Sequence, residues 1–236
     1  MYKKIDSFYN CIDMGDLIYS LLFCKILNVR KMYIDGGCNT VKFNWNAAKF
    51  LLPLVQSQEY LETVELYKDQ EYDCNYGIHP EKTPVVVGTN LTEFHASKFN
   101  ISYNDDVLHN TTWLKVDKIE NDILKHKKIL INRTERYHGN ETFYKYMLAS
   151  FPPEYFIFAG LKSEYDLFCK TFGVAINFVE TDSSISLAQV IDAVPIFLGN
   201  ESLICAIAKG LGKTCYVEYG KYAANYLFDR QNIFYF

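Results

Sequence analysis

The stretch Cys11-Ile12-Asp13-Met14-Gly15-Asp16-Leu17, running on through the apolar segment Ile18 to Leu27, decides how the rest of the chain is read. Phe8 to Ile12 is a short strand candidate, and Gly15 offers a tight turn after it. The segment that follows is interrupted only by Ser20 and Lys25 before Asn28 closes it, so it predicts a helix buried on most of its surface. A carboxylate on a strand–Gly–helix turn is held at the carboxyl edge of a sheet, where open α/β folds carry their chemistry. Asp16 therefore has two readings. One is a reactive acid. The other is a cap that complements the helix dipole, worth about 1 kcal/mol.

The same pattern repeats most clearly in the C-terminal half. Strands are expected at Lys128–Asn132, Tyr155–Ala159, Val174–Val179, Pro195–Leu198, Lys213–Glu218 and Asn232–Phe236. Helices are expected between them. Asn140 caps Glu141–Ser150, and Pro152-Pro153 ends it. Gly173 terminates Ser163–Phe172. Ser184 or Ser186 caps a helix to Ala193, and Gly199-Asn200 forms a turn into Ser202–Leu211. Strict alternation at these lengths predicts βαβ units and a mostly parallel sheet.

The N-terminal half repeats the theme less cleanly. Lys31–Ile34 reads as a strand ended by Gly36-Gly37, and Trp45–Gln56 as a helix kinked or split by Pro53. Leu61–Tyr67 reads as a strand and Thr92–Phe99 as a short helix; Tyr72–Asn90 gives no clear pattern. Asn100–Lys127 is polar and charged around Trp113-Leu114, and the boundary between two lobes is expected there. The expected fold class is α/β, two Rossmann-like lobes with parallel sheets, spanning residues 1–122 and 123–236.

Bulk composition narrows the function classes. The chain has 236 residues, 49% hydrophobic and 22% charged, with 19 Tyr and 17 Phe. Net charge is −4, which argues against broad electrostatic binding to nucleic acid or anionic membrane. Met1 to Ser7 lacks the apolar core of a secretory leader, and no apolar run is long enough to span a bilayer. Seven cysteines are scattered without CxxC spacing, which predicts a reduced, cytoplasmic setting. The six Asn-x-Ser/Thr sequons are then silent. The five histidines form no HExxH, and neither GxGxxG after a strand nor GxxxxGK[ST] occurs, so zinc-protease, dinucleotide and P-loop readings lack support.

Three loops should face the cleft between the lobes. The first is Asp13 to Asp16. The second, Asn132-Arg133-Thr134-Glu135-Arg136-Tyr137, brings guanidinium forks suited to phosphate oxygens; its alternative is a surface loop with an internal Arg–Glu135 pair. The third, Gly199-Asn200-Glu201-Ser202, enters a helix and offers free backbone N–H groups to an anion. Its alternative is a plain cap at Asn200, and Glu201, if turned inward, would repel a phosphate.

Together these loops resemble one family. Gly15-Asp16-Leu17-Ile18-Tyr19-Ser20-Leu21 is similar to the entry of heptosyltransferase-like glycosyltransferases of the GT-B fold. Phe197-Leu198-Gly199-Asn200-Glu201-Ser202, with Ala206-Ile207-Ala208-Lys209-Gly210-Leu211, is similar to their donor-side loop and helix in phage and bacterial relatives. Leu52 to Tyr60 and Asn132 to Tyr137 resemble intervening segments. The resemblance implies transfer of a sugar from a nucleotide sugar to an acceptor hydroxyl, with Asp16 as general base. It implies no metal and no cofactor beyond the nucleotide-sugar co-substrate. Gly15, Arg133, Thr134, Arg136, Gly199, Asn200, Glu201 and Ser202 would hold the donor. Residues 1–122 would then be the acceptor-side lobe and 123–236 the nucleotide-sugar lobe. The acceptor stays open between glycan, protein and DNA. The DNA reading would need Lys25, Lys31, Lys42 and Lys49 to form one surface, and a binding module without turnover is the remaining alternative.

Overall fold

In the computed structural model the described residues are 4–37, 43–76, 90–220 and 226–236. The N-terminal half runs β1 (Ser7–Asn10), α1 (Met14–Leu27), β2 (Lys31–Ile34), α2 (Trp45–Gln56), β3 (Thr63–Leu66) and β4 (Cys74–Asn75). Its four strands are parallel in the order β3-β2-β1-β4. Two helices follow, α3 (Leu91–Lys98) and α4 (Asp106–Asn110).

The second half is β5 (Ile129–Asn132), α5 (Thr142–Ser150), β6 (Phe156–Ala159), α6 (Lys162–Phe172), β7 (Asn177–Val179), α7 (Ser184–Ala193), β8 (Ile196–Asn200), α8 (Leu203–Gly210), β9 (Thr214–Glu218) and β10 (Ile233–Tyr235). These six strands are parallel in the order β10-β9-β8-β5-β6-β7. The expected α/β class with two parallel sheets is what the chain forms.

The second sheet is buried on both faces, which is why its strands read as continuous apolar runs. Ile129 and Ile131 of β5 join a cluster with Tyr144, Met147 and Phe168 of α5 and α6. Leu130, between them, joins the opposite cluster with Leu187, Ile191 and Cys205 of α7 and α8. That second cluster also takes in Phe8, Leu17, Leu21, Met32 and Leu54 of the first half. The two halves of the chain therefore share one core, with α1 against α8 and α2 against α7.

Helices α1 and α8 lie side by side in the same direction. At their starts, a Cβ on Gly15 would sit 3.7 Å from the Ser202 carbonyl oxygen. At their ends, both meet the segment around Trp113. Lys25 Nζ donates to the Thr112 carbonyl at 2.7 Å, and the Trp113 N–H to that of Gly210 at 3.0 Å. Small residues in α8 permit this approach: a Cβ on Gly210 would come within 2.8 Å of Trp113 Nε1.

Several local expectations are corrected. Gly199-Asn200 is not a turn but the end of β8, paired with Asn132 on one side and Val217-Glu218 on the other. The strands run so close there that a Cβ on Gly199 would fall 2.1 Å from the Asn132 carbonyl oxygen. Pro53 does not split α2. The bond it forfeits would have served the Lys49 carbonyl, and Lys49 lies on the exposed side. The cap of α7 is Ser183, whose hydroxyl accepts from the Ser186 N–H. The polar stretch 100–127 contains α4, and its Trp113 is fully buried. Within the unclear stretch 72–90, β4 is present, and 77–89 lie outside the described residues.

Candidate active site

Because α1 and α8 both leave the carboxyl edge of their sheets, their positive ends meet at one place. The N-cap of α1 is Asp13, which makes no side-chain capping bond. Asp16 is thus not the cap; it stands in the first turn, half-buried. Tyr76 and Tyr226 lie close, their hydroxyls 3.4 Å apart. Burial pushes both phenols well above their ordinary pKa, and the Asp16 charge adds to that in each.

The start of α8 is fixed from several sides. Ser202 caps it, its hydroxyl accepting from the Cys205 N–H at 3.2 Å and donating to Asn132 Oδ1 at 2.8 Å. Asn132 Nδ2 in turn donates to the Ala159 carbonyl at 3.0 Å and faces Glu164 Oε2 at 3.5 Å. Burial raises the Glu164 pKa, against the lowering effect of its bonds from Leu161 N–H and Asn132.

Asn200 is not the cap. Its Oδ1 accepts from the Thr134 N–H at 3.0 Å, and its Nδ2 donates to the Thr134 carbonyl at 3.0 Å and to the Arg136 carbonyl. It is fully buried and ties the 133–137 loop to the end of β8.

The two arginines of that loop part company. Arg133 turns inward, and its partner is Glu218 rather than Glu135. Nε and Nη2 donate to the two Glu218 oxygens at 2.8 and 2.9 Å, and the guanidinium lies over the Tyr144 and Phe172 rings. Burial alone would lower its pKa, but the Glu218 bonds raise it above the ordinary value. Arg133 is thereby committed to a buried ion pair. Arg136 is exposed, its guanidinium over the Tyr137 ring at 5.3 Å.

Glu201 points into the core, away from any anion at the helix start. Its Oε1 lies 2.5 Å from Lys209 Nζ, and its Oε2 accepts from the Tyr19 hydroxyl at 3.1 Å. Burial works against the Lys209 charge, and Cys205 and Glu201 beside it more than offset that, leaving its pKa above the ordinary lysine value.

Thus Gly15 and Asp16 come together with Ser202, while Thr134, Arg136 and Asn200 form a second group beside it. Sequence reasoning missed Tyr76, Tyr226 and Glu164, which lie at the same edge, and Glu218, which holds Arg133; Asn132 is named there only as the first residue of its loop, without a role. No motif marks them; only the position of Asn132 and Glu218 at the last residue of a strand is a signal. Among the described residues, no group of three or more His, Cys, Asp or Glu is placed to hold a metal ion. Of the lysines behind the DNA reading, Lys31 lies 3.4 Å from Asp6, and Lys25 is tied to the Thr112 carbonyl. Lys42 lies outside the described residues. Among the described residues, no helix is long and apolar enough to cross a membrane.

No family model matches the chain, and no curated protein sequence matches it. Solved structures do. A family 9 glycosyltransferase from Veillonella parvula superposes with a TM-score of 0.61 at 8% identity, over 100% of this chain and 88% of that one. The dodecameric iron-containing heptosyltransferase TibC of enterotoxigenic E. coli, in complex with ADP-D-beta-D-heptose, gives 0.57 at 10% identity over 98% of this chain and 63% of its own. E. coli heptosyltransferase WaaC with ADP gives 0.51 at 11% identity, over 95% and 90%. The chain has the fold of the heptosyltransferase-like family 9 glycosyltransferases.

Proposed function

We propose that this chain is a glycosyltransferase, moving a sugar from a nucleotide sugar to an acceptor hydroxyl without a metal ion, with Asp16 as general base. One observation carries the reading. In a chain of this fold, a half-buried carboxylate stands on the first turn of α1 where that turn meets the start of α8. The Asp16 carboxylate takes the acceptor proton as the acceptor oxygen bonds to the anomeric carbon. The bond from that carbon to the donor phosphate breaks, and the nucleoside diphosphate leaves with the electron pair. Charge growing on it is met by first-turn N–H groups of α8 and by the Arg136 guanidinium. In this reading Asn200, Thr134 and Gly199 shape the donor loop, Glu201 and Arg133 support it from within, and the lobes divide near residue 122. The setting is cytoplasmic, and no further cofactor takes part.

A second reading is a nucleotide-sugar-binding module without turnover. It is favoured by the commitment of Arg133 and Glu201 to internal pairs, which leaves Arg136 as the exposed arginine of the donor loop. Asp16→Asn separates the two. It keeps the size of the side chain but removes the base, so turnover or donor hydrolysis should fall ~10²–10⁴-fold with donor affinity nearly unchanged. Unchanged turnover would overturn the catalytic role. Donor binding in wild type without turnover on any acceptor or water would favour the module.

A further inference from the structure

The Tyr19–Glu201–Lys209 cluster takes no part in the chemistry just described, yet it is a buried polar group where α1 packs on α8. Lys209 is fully buried, and Tyr19 and Glu201 nearly so. Lys209 Nζ reaches Glu201 Oε1 at 2.5 Å and the Tyr226 carbonyl at 2.9 Å, and sits over the Tyr19, Phe228 and Tyr235 rings. The remaining Glu201 oxygen accepts from Tyr19 OH, which crosses from α1. The Tyr19 ring stacks on Tyr226 at 3.9 Å and 18°.

Buried ion pairs are poor sources of net stability compared with apolar packing of the same volume, and their best-attested use is to fix a register. This one is placed to do so. Tyr19 lies three residues after Asp16, on the same face of α1. Glu201 directly precedes Ser202, the cap of α8. The Tyr19–Glu201 bond therefore spans the same gap as the Gly15–Ser202 contact, one helical turn deeper. Apolar helix faces can slide past each other, whereas a hydrogen bond to a carboxylate already anchored by Lys209 allows one setting.

We infer that Tyr19 is a positioning residue: through Glu201 and Lys209 it sets the Asp16 carboxylate against the start of α8. The inference rests on the proposed role of Asp16, and the test separates the two. Tyr19→Phe deletes the hydroxyl and keeps the stacked ring. Turnover of the nucleotide sugar is measured for wild type, Tyr19→Phe, Asp16→Asn and the double variant, in single turnovers with protein in excess. Hydrogen exchange is followed over the first turns of α1 and α8 and over β5–β6.

Tyr19→Phe should lower the single-turnover rate at saturating protein about tenfold, with the half-saturating protein concentration within about twofold, since small misplacements of a reacting group are costly. The same change in the Asp16→Asn background should add no further loss. Exchange should quicken at the two helix starts and stay unchanged in β5–β6. An equal loss in both backgrounds would show that Tyr19 acts other than through Asp16. Unchanged turnover and unchanged exchange would overturn the inference. If wild type turns over no donor, the catalytic reading fails by itself. The exchange measurement then still decides: faster exchange confined to the helix starts upholds the lock, and unchanged exchange refutes it.

Discussion

The starts of α1 and α8 meet at one place, yet they are built in opposite ways. At α8 every polar side chain of the Asn200-Glu201-Ser202 run is engaged internally. Asn200 holds the 133–137 loop, Glu201 is locked to Lys209 and Tyr19, and Ser202 caps. At α1 the capping position is filled by Asp13 without a capping bond, and Asp16 stands half-buried in the first turn. Under the proposed function this contrast assigns the two starts different roles. The α8 start offers a rigid set of backbone N–H groups, with its side chains holding them still. The α1 start offers a side chain. A loop whose residue types look like a binding motif can thus act mainly through its main chain.

The largest effect is expected at Glu201. Glu201→Ala leaves Lys209 charged and buried without its partner, and should cost about 3–5 kcal/mol in urea unfolding. Glu201→Gln still accepts from Tyr19 and should lose less, which keeps the measurement open if the Ala variant fails to fold. A loss under about 1 kcal/mol for Glu201→Ala would mean that the pair is solvated in solution, and the rigid α8 start would be wrong.

Asn200 comes next. Asn200→Ala removes an acceptor from the Thr134 N–H and a donor from the Thr134 and Arg136 carbonyls, so about 1–3 kcal/mol should be lost. Because these bonds all lie in one loop, faster hydrogen exchange should concentrate at 133–137. A global loss with no local signature would remove Asn200 as the tether.

How much of this can be read from the sequence depends on range. The second sheet is legible because each strand is a short apolar run closed by Gly, Pro or a capping residue within a few positions. The turn into α1 is legible for the same reason. Side-chain partners are not. Arg133 and Glu218 are 85 positions apart, and nothing local distinguishes a guanidinium awaiting a phosphate from one already paired. Glu201 and Lys209 are eight apart, but a carboxylate beside a helix start reads as dipole complementation until its direction is known. The stretch 100–127 misleads because most of its charges are exposed while its buried apolar residues, Leu108, Trp113, Leu114 and Leu124, are scattered without a period, Trp113 filling the seam between α1 and α8. The Asp16 neighbourhood needs Tyr76 and Tyr226, brought from 60 and 210 positions away by the shared core.

The smallest effect is also the most direct comparison of the two helix starts. Ser202→Ala deletes the acceptor of the Cys205 N–H and the donor to Asn132 Oδ1, so it should cost about 1–2 kcal/mol, the range of a working cap. Asp13→Asn changes a capping position that makes no side-chain bond. It removes only a charge near the α1 dipole and should shift stability by no more than about 0.5 kcal/mol. Paired urea titrations with equal slopes measure the gap between them. If Asp13→Asn cost as much as Ser202→Ala, Asp13 would be capping α1 in solution, and the two starts would be alike. If both were near zero, the α8 start would be held by Glu201 and Asn200 alone, and Ser202 would be left to the donor.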